Sequence, residues 1–327
     1  MRRMWIDTDG GSDDFVAIAM AIASPNILVD GISCVDGNVD LKQCWNNVQL
    51  VLKGFEHKVV SHIKCVAGAT EPIVRKCYRA YETHGNDGLS GYDKYCVYGN
   101  SCYPNLASTV DKIVNTVAID RHTIIMCLGP LTNIAYACKL YPDIMKRANI
   151  WAMATAGRGE GNVTPIAEFN VWQDAEAVKI VLDTCEEVHF IGWDMCLDAM
   201  FTAEDIKQIY NSGTAGKTFM AINETLIKLN EDRFGSRCLD FADPIAMAIT
   251  LNPEFCGASF EQYGCHVCLS DNEDCYGGVN LDVNGYFDYK QKAYWVTKID
   301  KDATKLYFRA LLGALNNMWH PIFDIDK

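Results

Sequence analysis

Short apolar runs alternate with longer stretches of helical period along most of this chain. The strand-like runs are Arg3–Asp7, Ile27–Cys34, Ile63–Ala67, Thr123–Leu128, Ile150–Ala154 and Val188–Ile191, each mostly apolar on both faces. Helical patterns cover Asp13–Ala23, Leu41–Lys53, Leu106–Ile119, Leu131–Leu140, Ala175–Asp183, Ala203–Tyr210, Lys217–Leu229 and Asp243–Thr250. Parallel strands need crossover helices to return, and strands apolar on both faces need covering on both, so the alternation predicts an α/β fold with a largely parallel sheet. The final third differs: residues 261–300 read as strands joined by polar turns, closed by a helix from Asp302 to about Leu315. Without an internal repeat, low-complexity tract or long linker, the pattern predicts a single domain over residues 1–327 with a small irregular C-terminal lobe.

Composition narrows the partners. At 327 residues and 49% hydrophobic, the chain can bury a large core. A net charge of −13 and a pI near 4.9 argue against nucleic acid or an anionic membrane as partner and favour a small molecule or a cation. The N-terminus lacks the apolar run and small-residue cleavage site of a signal peptide, and no apolar stretch reaches the ~20 residues that span a bilayer, so a cytoplasmic location is expected. The fifteen cysteines are scattered, many inside apolar runs, as buried thiols of a reducing compartment would be. "CHVCLSDNEDC", Cys265 to Cys275, is the one suggestive cluster, but a zinc site needs a second ligand pair and only scattered candidates such as Cys256 exist. The sequons at Asn162 and Asn223 carry no weight in a chain that is not secreted.

The densest chemistry lies where the first strand becomes the first helix. "DTDGGSDD" packs Asp7, Asp9, Asp13 and Asp14 into eight residues. Gly10 and Gly11 suit a tight turn, Ser12 suits an N-cap, and Asp13 and Asp14 suit a first helical turn. Helix capping leaves Asp7 and Asp9 unexplained, and carboxylates this close are most readily kept when a hard cation, Ca2+ or Mg2+, neutralises them. In open α/β sheets ligands bind beyond the carboxyl ends of the strands, where this cluster falls. Two other motifs fit poorly. An Asp-x-Asp phosphatase of the haloacid dehalogenase type wants Thr or Val where Gly11 stands, and "NSGTAGKTF" has Asn211 where a P-loop needs its first glycine.

The aspartate string resembles the N-terminal Asp-x-Asp-Pro-Gly-x-Asp-Asp fingerprint of the inosine–uridine nucleoside hydrolase family. "CVDGNVDLKQCWNNVQLVL" is similar to that family's Gly-Asn turn and following helix. "VAGATEPIV" (66–74), "HGNDGLSG" (84–91), "LGPLTNIAYA" (128–137), "GNVTPIAEFNVWQDAEAV" (161–178) and "ADPIAMA" (242–248) match its later segments in order. The resemblance implies a Rossmann-like mixed sheet, a bound Ca2+, a homodimer or homotetramer, and hydrolysis of the N-glycosidic bond of ribonucleosides in salvage. By position it implies Asp9, Asp14, Asp243 and the Leu128 carbonyl as calcium ligands, with Asp13, Asn38, Asn162, Glu168 and Asn170 on the ribose and Met153 packed against the sugar.

These residue types suit the chemistry. Glycoside cleavage passes through a cation-like transition state that carboxylates stabilise, while a metal-bound water supplies the nucleophile. Calcium acidifies that water only modestly, so a carboxylate base helps, and Asp9 is the candidate. Amides and a carboxylate in "GNVTPIAEFN" offer donors and acceptors to vicinal hydroxyls, which predicts a strong preference for ribose over 2′-deoxyribose. Taken singly, several residues have plainer readings: Asn162 after Gly161 is a common turn pair, and Asp243 before Pro244 is an ordinary N-cap with Pro at N1. Buried Glu168 would need a partner. Only the joint pattern raises Asp243 to a metal ligand.

The chain also departs from the family. Ala242 stands where members commonly carry His or Trp at the leaving base, and Ala neither protonates nor stacks on a base. Tyr78, Tyr81, His84, Arg233 and Phe234 are the replacements offered by the sequence, with His84 and Arg233 foremost. Gly10 replaces the usual Pro, and Ala154-Thr155 the usual Gly pair. Two alternatives to a ribonucleoside hydrolase follow: a hydrolase of another N-ribosyl compound, and a non-catalytic nucleoside- or ribose-binding protein.

Overall fold

The computed structural model describes residues 1–92 and 102–320; among these, eleven strands form, nine of them in one sheet. The strands are β1 (Arg2–Thr8), β2 (Ile27–Cys34), β3 (Lys64–Ala67), β4 (Ile124–Cys127), β5 (Asn149–Met153), β6 (Glu187–Ile191), β7 (Phe201–Thr202), β8 (Cys238–Leu239), β9 (Ser259–Val267), β10 (Val279–Asp282) and β11 (Lys292–Lys298). The order across the main sheet is β10-β9-β11-β6-β5-β4-β1-β2-β3, and β7 and β8 make a separate antiparallel pair. From β3 to β11 every neighbouring pair is parallel; β9 runs antiparallel to both β11 and β10. The C-terminal lobe expected from the sequence takes the form of this antiparallel edge, followed by the closing helix Lys301–Met318.

The alternation of side chains along β1 divides the core. Met4 and Ile6 point into one apolar cluster, which includes residues of the helices Ser12–Ala23, Leu41–Lys53 and Ala242–Leu251, while Trp5 between them joins the other, under Leu106–Ile119, Thr132–Leu140 and Ala175–Thr184. Both faces are thereby covered, as the doubly apolar strands required. Chain order reverses direction across the sheet between β1 and β4, which opens a crevice at their carboxyl ends.

One long helix expected from the pattern is two. Lys217–Leu229 is divided between Thr214–Ile222 and Glu224–Phe234. At the junction Asn223 donates its side-chain amide to the carbonyls of Phe219 (2.8 Å) and Ser12 (3.2 Å), and a side chain that competes for backbone partners breaks the helical ladder. No helix among the described residues is long and apolar enough to cross a membrane. The fourteen described cysteines are free thiols; Cys265 lies in β9, and Cys96 falls outside the described residues.

Candidate active site

The four aspartates of the first turn separate into two jobs. Asp7, inside β1, accepts hydrogen bonds from the Ser33 hydroxyl on β2 and from Asn133 Nδ2 (2.8 Å) on the helix Thr132–Leu140. Burial pushes its carboxyl up to about 7 against the pull of those two donors. Asp7 thus ties the sheet to a covering helix, and needs no cation to explain it.

After Thr8 the chain turns sharply. Gly10 has φ +77°, which proline could not adopt, and a Cβ there would lie 2.6 Å from Cys44 Cα, so the turn sits directly on the helix Leu41–Lys53. The cap of the first helix is Gly11, not Ser12: the Gly11 N–H is taken by Asp14 Oδ2 at 2.9 Å, and the Thr8 hydroxyl also donates to Asp14. Ser12 is released for another role. Its N–H (3.3 Å) and hydroxyl (2.9 Å) meet His84 Nδ1, and Asp13 Oδ1 lies 3.6 Å from the same nitrogen.

Asp13, Asp14 and Asp243 converge: each offers a carboxylate oxygen within 4.8 Å of the others, and all are buried. Asp243 comes from the start of the helix Ala242–Leu251, whose first residue is Ala242, so Asp243 lies inside the first turn rather than capping it. Asp9 stands alongside, within hydrogen-bonding reach of Asp14, and accepts from Asn38 N (2.8 Å) and Nδ2 (3.0 Å). Gly37 makes room for it, since a Cβ at that position would fall 2.2 Å from Asp9 Oδ2. Burial first, then mutual repulsion, pushes Asp9 and Asp243 well above the ordinary carboxylate range and Asp14 up to about 6. The donor set fits a hard cation. Oxygens that share one Ca2+ at roughly 2.3–2.6 Å lie within about 5 Å of each other, and a cation removes the repulsion that burial otherwise magnifies.

The neighbouring wall is a ring of amides. Asn170 donates Nδ2 to the carbonyls of Leu128 (2.9 Å) and Met153 (3.0 Å), which joins the carboxyl ends of β4 and β5. Glu168 caps the short helix Phe169–Gln173 and accepts from the N–H groups of Asn170 (2.9 Å), Val171 (3.3 Å) and Thr155 (3.0 Å). Burial still holds its carboxyl up at about 7. Thr155, in place of the usual Gly, takes φ 78°, and its grip on Glu168 holds that conformation. Asn162 accepts from Phe169 N at 2.8 Å.

Asp13, Asn38, Leu128, Met153, Asn162, Glu168, Asn170 and Asp243 all line one pocket with about 680 Å³ of empty space. His84 and Arg233 line it too, as does Ala242. Asp9 and Asp14 lie behind this lining, and Tyr78, Tyr81 and Phe234 are partly exposed outside it. Sequence reasoning missed Trp193, Asn230 and Asp240, which line the same pocket. Trp193 follows β6 and Asp240 follows β8, and a polar or amphipathic residue just past a strand's carboxyl end is the signal that would have found them.

The family model for "Inosine-uridine preferring nucleoside hydrolase" matches residues 4–305. The chain belongs to this family. Membership makes it an N-ribosyl hydrolase that cleaves the N-glycosidic bond of ribonucleosides, and a purely binding role is not favoured. An inosine-uridine preferring nucleoside hydrolase of Leishmania major is 31% identical over 265 residues, covering 77% of this chain and 79% of that protein. The pyrimidine-specific ribonucleoside hydrolase RihB of Escherichia coli (strain SE11) is 28% identical over 288 residues, 87% of this chain and 88% of that one. In fold, the chain is similar to a purine-preferring ribonucleoside hydrolase from Gardnerella vaginalis (TM-score 0.83, 24% identity, 96% of this chain and 99% of the other). A plant nucleoside hydrolase, PpNRh1, superposes with TM-score 0.84 at 22% identity over 96% of this chain and 99% of its own.

Proposed function

We propose that this nucleoside hydrolase works on a ribonucleoside held across the pocket, with a Ca2+ ion at Asp9, Asp14, Asp243 and the Leu128 carbonyl. The observation that carries the reading is the convergence of the Asp13, Asp14 and Asp243 carboxylate oxygens within 4.8 Å, with Asp9 in hydrogen-bonding reach of Asp14, beside a pocket walled by amides. When bound, Ca2+ supplies a Lewis acid that acidifies water and gathers mutually repelling carboxylates. Asp9, oriented by both hydrogen bonds from Asn38, is the general base that takes a proton from the attacking water. Asp13 faces both the cation and the sugar. Asn38, Asn162, Glu168, Asn170 and Asp243 hold the hydroxyls, and Met153 packs against the ring. Because buried polar groups would be left unpaired by a missing hydroxyl, 2′-deoxyribonucleosides are poor substrates.

His84, held at Nδ1 by Ser12, and Arg233, whose guanidinium lies 5.5 Å over the Trp193 ring and donates to the Asn162 carbonyl at 3.3 Å, meet the leaving base in place of the residue missing at Ala242. The chain acts as one domain, as a homodimer or homotetramer, in cytoplasmic nucleoside salvage. A nine-stranded sheet that takes strands from both halves of the chain supports the single unit.

Ribose release from purine and pyrimidine ribonucleosides, with and without chelator, tests this. Turnover that falls on chelation, returns with Ca2+ and drops roughly 10²–10⁴-fold in Asp9→Ala is expected. Turnover indifferent to both would refute the cation and the base together.

A further inference from the structure

One residue of the pocket lining carries a buried atom with no partner among the described residues. Asp240 receives Trp193 Nε1–H at 3.0 Å on one oxygen and Asn230 Nδ2 at 2.9 Å on the other. Both contacts are donated to Asp240, so Asn230 presents its NH2 group to that carboxylate and keeps its Oδ1 free of it. Asn230 Oδ1 is therefore an acceptor; it is buried, and among the described residues no hydrogen bond reaches it. Asn230 lines the pocket together with Leu226, Leu229 and Arg233 of the same helix, Glu224–Phe234, the spacing of one helical face. Ala242, also in the lining, offers only a methyl group.

We propose that Asn230 Oδ1 reads an N–H on the hydrogen-bonding edge of the nucleobase, and that Asp240 and Trp193 are positioning residues that hold the amide in that sense. The inference rests on the ribonucleoside reading of the pocket. The sugar's hydroxyls already face the carboxylates and amides at the other end, whereas a nucleobase brings a ring or exocyclic N–H that needs an acceptor. A buried acceptor left empty is costly, so a base that cannot donate is rejected. Specificity here then comes from an amide whose orientation a carboxylate sets, not from the residue at 242.

The test uses pairs of substrates that differ only at that donor: uridine and 3-methyluridine, inosine and 1-methylinosine, adenosine and N6,N6-dimethyladenosine, cytidine and N4,N4-dimethylcytidine. For the parent the enzyme prefers, wild type should show kcat/KM roughly 100-fold above the methylated partner. Asn230→Ala should bring the two within a few-fold. Asp240→Asn supplies a variant of unchanged size: its new amide can donate to Asn230 Oδ1, which satisfies that atom internally, so the same collapse is expected with KM affected more than kcat. A wild-type enzyme that does not discriminate within the preferred pair overturns the proposal. So does a variant that releases ribose with the wild-type ratio, and if Asn230→Ala does not fold, Asp240→Asn decides. Failure of wild type to release ribose from any parent instead overturns the underlying ribonucleoside reading.

Discussion

Glu168 shows how one residue serves two masters. Its two oxygens take three backbone N–H groups, which favours the ionised form, yet burial wins and holds the carboxyl at about 7. The folded chain therefore keeps a proton there up to about pH 7, whereas the unfolded chain releases it near the ordinary 4.5. Between those values the native state binds more protons, so the contribution of Glu168 to stability is fully present below pH 4.5 and is lost as pH rises to about 7. Thermal unfolding of chelated protein from pH 5 to 8 should show a downward slope in Tm that Glu168→Gln reduces. Parallel profiles for the two proteins would show that Glu168 titrates normally.

At the scale of elements, the turn from β1 into the first helix is held by contact with a neighbour. Gly10 needs its positive φ and its bare Cα against Cys44, so Gly10→Ala should destabilise the protein by at least about 1–3 kcal/mol, measured by urea unfolding. Much of this level was legible beforehand. Leu41–Lys53, Leu106–Ile119 and Ala203–Tyr210 begin and end where their periodicity predicts, because each has a clear apolar face and a polar N-cap: Asp40, Asn105 and Thr202. The short helices Tyr81–His84, Phe169–Gln173 and Trp193–Asp198 were not, since four to six residues are too few for a period to register. Those three carry or adjoin His84, Glu168, Asn170 and Trp193, so the most functional segments were the least visible as structure. Motif resemblance recovered most of the pocket lining. The network of Trp193, Asn230 and Asp240 escaped it because Asn and Asp at such positions read equally well as turn or surface residues, and only packing aims them inward.

At the scale of the whole molecule, the proposed cation site joins distant parts of the sequence: Asp13 and Asp14, at the start of the helix after β1, meet Asp243 of the helix Ala242–Leu251, with Asp9 alongside. A ligand that binds only this folded arrangement stabilises it by mass action, so Tm should rise with added Ca2+, reaching about 2.7 kcal/mol of extra stability at 100 times its Kd, and fall on chelation. A Tm unmoved by Ca2+ would contradict the proposed site. Sedimentation velocity would separate the expected dimer or tetramer from a monomer.

The crevice between β1 and β4 also has a kinetic meaning. Its carboxylates repel one another until a cation joins them, and they meet only after the strands and helices between Asp14 and Asp243 have docked. Interactions made that late belong to the native state more than to the folding transition state, so they lengthen its lifetime without hastening its formation. Loading the site should slow unfolding and leave refolding nearly unchanged, and a protease present during repeated openings should cut the loaded enzyme more slowly than the stripped one.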